Sequence, residues 1–501
     1  MAEYKLAKRV DDVKKYIDGA KIISFDFETA PDEKYRSEQY AALDPHKSHI
    51  VGVSFSRDIN TGIYAPMAHQ NYKNLNMDAL LSEFANSGAV KIAHNLSFEA
   101  MFLYAMKIQI TAPVYDTILA AMMTLKSNTE FRSLSDSVLK TLVPQLLHVD
   151  LPKFEEVVGN RCFDELDPED AETIRYACAD SDFALQLYQL FNNWFDKYLP
   201  KHRWIIENIE SPTAIFVGIM KYHGICVNKE LMYKKQFDAD ETIRNLRAKI
   251  KKFIGSDIDI GANASTDALK KYLYEYLNLP VLKTTAKYQA AADEETIVLL
   301  KDWCKDNKPD TVPLLEAIHD YRKWNKIKST YIDGFLNAVN SATDKIHTSF
   351  FQLGTDTGRF ASRYPNLQNM PRKDNDPIGI RSFFIPSEGC TFVDFDFSQI
   401  ELRVGAWYCR DEKMLDTYRN NGDIHAQTTS VIYNVPFDEA VNKDAPHYKE
   451  HRSIAKSCNF GVFYGLFANG LMRQLKKAGI DKTKPECETI IQNLKNGYPR
   501  L

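Results

Sequence analysis

Lys21–Phe27 reads as a buried strand carrying Ile22, Ile23, Phe25 and Phe27, and Ile50–Phe55 and Val90–Ala93 resemble it. Short apolar runs bounded by polar residues predict buried strands. Helical spacing takes over at Glu99–Met106 and Ala171–Phe191. Strands alternating with helices over residues 1–200 predict an α/β domain with a sheet at its centre. Residues 201–345 read as mostly helical, with a charged amphipathic helix at Glu241–Ile254 and a long helix at Leu314–Val339. Beyond 346 a turn-rich stretch, Gly354–Arg372, leads into strict alternation at Cys390–Phe397. That alternation predicts a half-buried strand, followed by a helix. A further long helix is expected from His447 to about Lys477. The chain shows neither internal repeats nor low-complexity linkers.

Chemistry gathers on three of the early elements. KIISFDFETA puts Asp26 and Glu28 on one strand face, about 6.6 Å apart along it. Two such carboxylates can hold divalent metals, although the solvent face of an edge strand would look the same. AHNLSFEAMFLY offers Asn95 as an N-cap and places Glu99 in the first helical turn, where the helix dipole favours negative charge. RYACADSDFALQLY sets Tyr176 and Asp180 four apart, on one helix face. A phenol beside a carboxylate can orient a water on that carboxylate's metal. Each feature alone also fits ordinary helix or strand chemistry.

Later segments carry a different chemistry. TDTGRFASRYPNLQNMPR is punctuated by Gly358, Pro365 and Pro371 and combines Arg359 and Arg363 with Asn366, Gln368 and Asn369. Arginines and amides suit phosphates and base edges. In CTFVDFDFSQIELRVGAWY, Asp394 and Asp396 share one strand face, and periodicity does not choose between them. In HRSIAKSCNFGVFYGLF, Arg452, Lys456, Phe460 and Tyr464 step by four along one helix stripe. Two cations followed by two aromatics match a nucleotide, with phosphates at the cations and the base near the rings. Gly461 and Gly465 lie beside the aromatic end, where glycine costs helix stability and so points to close approach or motion.

Composition narrows the picture. The 501 residues are too many for one core, and 44% hydrophobic with 26% charged is ordinary globular composition. A net charge of −4 gives no support to an overall basic nucleic-acid binder, so any contact with DNA must come from local patches. One patch is Val441–Leu501, with 11 Lys and Arg against 5 Asp and Glu. The eight cysteines, at 162, 178, 226, 304, 390, 409, 458 and 487, include no CxxC, which argues for reduced thiols and against zinc. MAEYKLAKRVDDVKKY lacks an apolar signal core, and no uncharged apolar run spans a bilayer. A soluble, intracellular protein is expected.

The acidic segments, in this order and with their tyrosine, resemble the DEDD exonucleases with a catalytic tyrosine that are fused to DNA polymerase I enzymes. That resemblance implies that Asp26, Glu28, Glu99 and Asp180 bind two Mg²⁺ or Mn²⁺ ions and that Tyr176 orients the attacking water. It also implies that Asn95 and Phe98 support the DNA end. The family usually has Asp where Glu99 stands. TDTGRFASRYPNLQNMP, DFSQIELR, NGDIH and R-x3-K-x3-NFG-x2-YG occur in the order seen in family A DNA polymerases, and YRKWNKIKSTY (321–331) looks like that family's thumb-to-palm helix. The resemblance covers nearly the whole chain. It implies a ribonuclease H-like exonuclease domain with a mixed sheet (1–200), a mostly helical thumb region (201–345), and parts of an α+β palm (346–410) and fingers (411–501), an incomplete right-hand architecture.

By the same resemblance Asp396 binds metal, Glu401 blocks a ribose 2′-hydroxyl, and His425 lies near the phosphates. Arg452 and Lys456 then grip a dNTP, Phe460 and Tyr464 stack on its base, and Arg359, Asn366, Gln368 and Asn369 meet the primer–template. Phe397 stands where many members have Tyr. Two metal ions are implied at each active site, with primer–template DNA, a single-stranded 3′ end and dNTP as partners. No His-Asp-Glu element of the family's second palm aspartate occurs in the sequence. The implied alternatives are a truncated chain, a gene fragment, or a split enzyme completed by a second polypeptide. A chain of this length is expected to lack a 5′-nuclease domain, and the compact layout with HNLSFEAMFL resembles bacteriophage members. The rival expectations are an exonuclease whose polymerase-like part only holds DNA, a non-catalytic binding subunit, and an RNA-synthesising relative. Glu401 argues against the last of these.

Overall fold

Strands with β-branched and aromatic residues at alternate positions build the first layer. The computed structural model describes residues 2–127, 137–262, 266–355, 357–371, 373, 376–463 and 465–501. Six strands form one sheet: β1 (Glu3–Leu6), β2 (Ile22–Pro31), β3 (Ser48–Ser56), β4 (Thr61–Pro66), β5 (Val90–Ala93) and β6 (Val114–Asp116). Their order is β1-β4-β3-β2-β5-β6. β3 runs antiparallel to both neighbours, whereas β1–β4, β2–β5 and β5–β6 pair in parallel. The mixed sheet expected for residues 1–200 is therefore present. β1, β4 and β6 went unread because each is short and lies at or near an edge.

One face of β2 packs Phe25 edge-on against Phe27 and Phe84, at ring distances of 5.7 and 5.1 Å. Fully burying such rings stabilises by about 1.5–3 kcal/mol each. The opposite face carries Ser24, Asp26 and Glu28 and is covered by a helix rather than by water. That helix is the third of four that position the site: α1 (Leu96–Ala105), α2 (Leu139–Leu147), α3 (Ala171–Tyr198) and α4 (Ser211–His223). α3 begins at Asp170, whose carboxylate accepts from Glu172 N at 3.1 Å. It docks through Ser181 Oγ, which bonds Ser54 Oγ at 2.9 Å and lies 3.2 Å from Ser56 Oγ.

Helices dominate the next stretch, as expected. α5 (Lys229–Ile254) is longer than its amphipathic segment, and α6 (Val312–Ile327) continues through a π-helical turn, Lys328–Asp333, into Gly334–Asn337. Ile225–Val227 is the middle strand of a small antiparallel sheet between Phe384–Ile385 and Lys345–Ile346. Ser349–Phe351 pairs with Ala361–Arg363.

Contacts divide the chain into Met1–Phe392 and Val393–Leu501. The second unit holds α7 (Ile400–Cys409), α8 (Ile424–Tyr433), α9 (Tyr448–Val462) and α10 (Ala468–Lys477) around a shared core that includes Leu402, Ile424, Ile454 and Leu471. Two expectations need correction here. Cys390–Phe397 forms no strand, and Phe395 and Phe397 are 89% and 79% exposed. Alternation suits a strand only when a neighbour supplies ladder bonds, and no described residue pairs with it. The long helix from His447 breaks after Val462. Leu466 folds back to where a Cβ on Gly461 would stand, at 2.6 Å, and Gly465 has φ +70°. The glycines thus mark close approach and a turn.

Candidate active site

Period-two geometry sends Asp26 and Glu28 to the α3 face of the sheet, and a register shift follows directly at Glu28/Thr29. Such bulges re-aim side chains. α3 brings Tyr176 and Asp180 over them, and Glu99 enters from the first turn of α1. Glu28 and Glu99 are buried.

Burial pushes all four carboxyls above their ordinary range. Their own charges add to it: Asp180 raises Asp26, Asp26 and Asp180 raise Glu28, and Asp26 raises Glu99. Burial, with the charges of Glu28, Asp180 and Asp26, also drives the Tyr176 phenol up, so it keeps its proton. The structure thus brings together Asp26, Glu28, Glu99, Tyr176 and Asp180. Their ligand atoms are not drawn into one tight sphere. Among the described residues, three such groups mutually within 4.8 Å occur at Cys162, Asp164 and Glu165. That trio already faces a resident cation, Arg36, 2.5 Å from Asp164.

Glu28 Oε1 and Glu99 Oε2 are buried with no hydrogen-bond partner. A buried carboxylate oxygen left this way is costly unless a cation or proton meets it. An all-oxygen donor set suits hard cations such as Mg²⁺ or Mn²⁺. The residues therefore fit divalent metal.

Two contributors escaped the sequence reading. Lys140, on α2, places Nζ 2.5 Å from Asp180 Oδ1 and 4.5 Å from the Tyr176 ring centre. Its charge pulls Asp26, Glu28 and Asp180 back down. A lysine inside the apolar segment LKTLVPQLL was the available signal. Asp116 is the second. Asn95 occupies the N-cap position of α1, but its side chain does not cap. The Asp116 carboxylate does so instead, accepting from Asn95 N at 3.1 Å, Leu96 N at 2.9 Å and Ile118 N at 3.0 Å. Burial raises its pKa to about 6 against those bonds. α4 holds α1 from outside, at a closeness only glycine allows: a Cβ on Gly218 would lie 2.3 Å from Ser97 O. Asn95 is exposed, and Phe98 packs on Phe102 at 4.7 Å.

The loop residues Arg359, Asn366, Gln368 and Asn369 are exposed. Asn366 Oδ1 organises the loop, accepting from Ser362 Oγ at 3.2 Å, Gln368 N at 3.0 Å and Asn369 N at 3.2 Å.

Within the second unit, Arg452, Lys456 and Phe460 all lie on α9, and Tyr464 falls outside the described residues. Lys456 and Phe460 are exposed. Arg452 is held by Asp423 at 2.6 Å. Burial pushes Asp423 up, but the bond and charge of Arg452 together with the Ala426 and His425 backbone bonds outweigh it and leave the carboxyl below its usual range. Asp423 also caps α8 through His425 N at 2.9 Å. His425 is buried, and its Nδ1 accepts from Asn459 Nδ2 at 2.9 Å; burial lowers its pKa. Glu401 and Phe460 line one cavity of about 730 Å³. Asp394 and Asp396 lie in the exposed segment before α7, in no cluster of three metal-ligating groups among the described residues.

Residues 229–501 match the family described as DNA polymerase family A, and residues 5–195 match the one described as 3′-5′ exonuclease. The chain is 27% identical over 498 residues to DNA polymerase I of Pseudomonas aeruginosa, covering 97% of this chain and 50% of that protein. It is 31% identical over 467 residues to DNA polymerase I of Chloroflexus aurantiacus, covering 92% and 47%. It spans about half the length of the curated relatives it matches. Among solved structures, the POL domain of Pol1 from M. smegmatis, in complex with DNA primer-template and dNTP, superposes with a TM-score of 0.74 at 21% identity. That match covers 99% of this chain and 76% of the other. No helix among the described residues is long and apolar enough to cross a membrane.

Proposed function

The chain belongs to DNA polymerase family A, and from that premise we propose that its first domain trims DNA from the 3′ end while its later segments bind primer–template DNA and a dNTP. The observation that carries the trimming activity is the convergence of Asp26, Glu28, Glu99 and Asp180 beside a protonated Tyr176, with two buried carboxylate oxygens left without partners. The sheet supports the same reading. Without β1 its order follows the ribonuclease H-like pattern, with the second strand antiparallel to the rest.

In this proposal the four carboxylates hold Mg²⁺ or Mn²⁺, which when bound supplies Lewis-acid stabilisation to the attacking and leaving oxygens of a phosphodiester. Tyr176 acts as a hydrogen-bonding group rather than a base, because its phenol stays protonated; it positions a water against the scissile phosphate. Glu99 takes the place of the family's usual Asp, and its extra methylene extends the carboxylate from α1. Asn95 and Phe98, at the start of α1, support the terminal nucleotide. Lys140 holds Asp180 in orientation. The bland alternative, a surface acidic strand, is disfavoured by the burial of Glu28 and Glu99.

For synthesis, we assign Arg452 and Lys456 to the triphosphate, Phe460 and Tyr464 to the base, Glu401 to the sugar and His425 to a supporting position beneath α9. Arg359, Asn366, Gln368 and Asn369 meet the primer–template, and Asp396 is assigned to metal. A second reading has a specific observation behind it. Asp396 lies in an exposed segment outside any strand, in no cluster of three metal-ligating groups among the described residues. On that reading this chain trims DNA and grips it without extending it.

The test uses a 5′-labelled single-stranded oligodeoxynucleotide and a primed template, with Mg²⁺. Shortening from the 3′ end that Asp26→Ala abolishes supports the trimming activity, and unchanged shortening in that variant refutes it. Extension of the primer in the presence of dNTPs decides between the full reading and trimming alone.

A further inference from the structure

A cavity of about 650 Å³ in the first unit is lined in part by Met101. Met101 follows Glu99 by two positions, which on a helix turns it to roughly the opposite side. α1 thus has the carboxylate cluster on one side and this cavity on the other.

Three aromatic rings line the cavity and stay in water: Tyr40 at 71% exposure, Tyr364 at 78% and Phe351 at 36%. Tyr40 has φ 62° and Tyr364 φ 60°. Bulky residues rarely adopt that region, and those that do concentrate at binding and active sites. The Arg363 guanidinium lies 5.2 Å over the Phe351 ring.

The cavity also receives Lys221, from the last turn of α4. The backbone there is pinned: His347 Nδ1 donates to Lys221 O at 2.7 Å, and His46 Nε2 donates to Tyr222 O at 2.9 Å. The Lys221 ammonium has neither a hydrogen-bond nor an ion-pair partner among the described residues. Burial lowers its pKa, and the charge of Asp44 acts on it without a contact. A cation held this way is suited to an incoming anion.

Exposed rings beside a cation without a partner form a stacking platform for unpaired bases, with a phosphate at the cation. An aliphatic peptide would leave Lys221 uncompensated. We propose that this cavity is a second DNA-holding site, in which a single-stranded segment stacks on Tyr40 and Tyr364 and sets a phosphate against Lys221. The identity of the polymer rests on the function proposed above; the existence of the site does not.

The test uses the full chain in EDTA, which prevents digestion, with single-stranded oligodeoxynucleotides carrying 5-iododeoxyuridine. Irradiation followed by peptide mapping should give adducts at Tyr40 and Tyr364. By fluorescence anisotropy, Tyr40→Ala with Tyr364→Ala should weaken binding at least about fivefold, the lower end for loss of a stacking ring. Tyr40→Phe with Tyr364→Phe keeps the rings and should bind like wild type, which separates stacking from a folding defect. Lys221→Met should weaken binding and flatten its salt dependence. Adducts confined to other residues, or wild-type affinity in the alanine variant, would overturn the site. Wild-type digestion in Mg²⁺ is scored separately. Adducts without digestion would refute the trimming activity and keep the site; digestion without adducts would do the reverse.

Discussion

Lys140→Met keeps most of the side chain's length and removes the ammonium that bonds Asp180 at 2.5 Å. Taking one partner from a buried ion pair costs about 3–5 kcal/mol. These side chains keep 27% and 16% of their surface in water, so about 2–3 kcal/mol is the expected loss without divalent ions. Asp180, already pushed up by burial, limits the loss by taking a proton. For a domain of this size the loss corresponds to a fall in Tm of roughly 5–10 °C. With Mn²⁺ or Mg²⁺ present the ion supplies the missing charge, and the gap between variant and wild type should close. The variant should also bind the ion more tightly, because the ammonium no longer competes for Asp180. Thermal denaturation in EDTA and across a Mn²⁺ titration reads both effects. A Tm loss of the same size at every ion concentration would show that the ammonium and the ion do not share Asp180. No loss in EDTA would show that the pair contributes nothing.

Two further predictions follow from the supports of α1. Gly218→Ala places a methyl 2.3 Å from Ser97 O, so α1 must shift at a cost of about 1–3 kcal/mol. Glu99 moves with it, and 3′-end digestion should fall at least about tenfold at a temperature where circular dichroism shows the fold intact; an unchanged rate would separate Glu99 from the reaction. Asp116 has a native pKa raised to about 6 from 3.8. The folded state therefore holds that proton more tightly, and wild type loses up to about 3 kcal/mol as pH rises from about 4 to about 6. Asp116→Asn cannot titrate, so its stability deficit should shrink over that window in urea unfolding, whereas parallel curves would contradict the shift.

Local patterns carried much of the cluster. Asp26 and Glu28 are two apart on a strand, Tyr176 and Asp180 are four apart on a helix, and Glu99 follows a strand end, so spacing alone set their faces. Lys140 and Asp116 were not legible in this way. Lys140 meets Asp180 forty residues away and Asp116 caps a helix twenty residues earlier, and both depend on how α2 and β6 dock. The stripe on α9 was readable because it needs only helical spacing. The end of α9 was not, because the break depends on Leu466 returning to Gly461. Cys390–Phe397 shows the opposite failure, since its alternation is real and pairing is a property of the neighbour.

Crystals soaked in Mn²⁺ and measured for anomalous scattering address the carboxylate cluster directly. The prediction is density for bound ions among Asp26, Glu28, Glu99 and Asp180, with Lys140 withdrawn from Asp180. A cluster that stays free of Mn²⁺, with the ammonium still on Asp180, would contradict it.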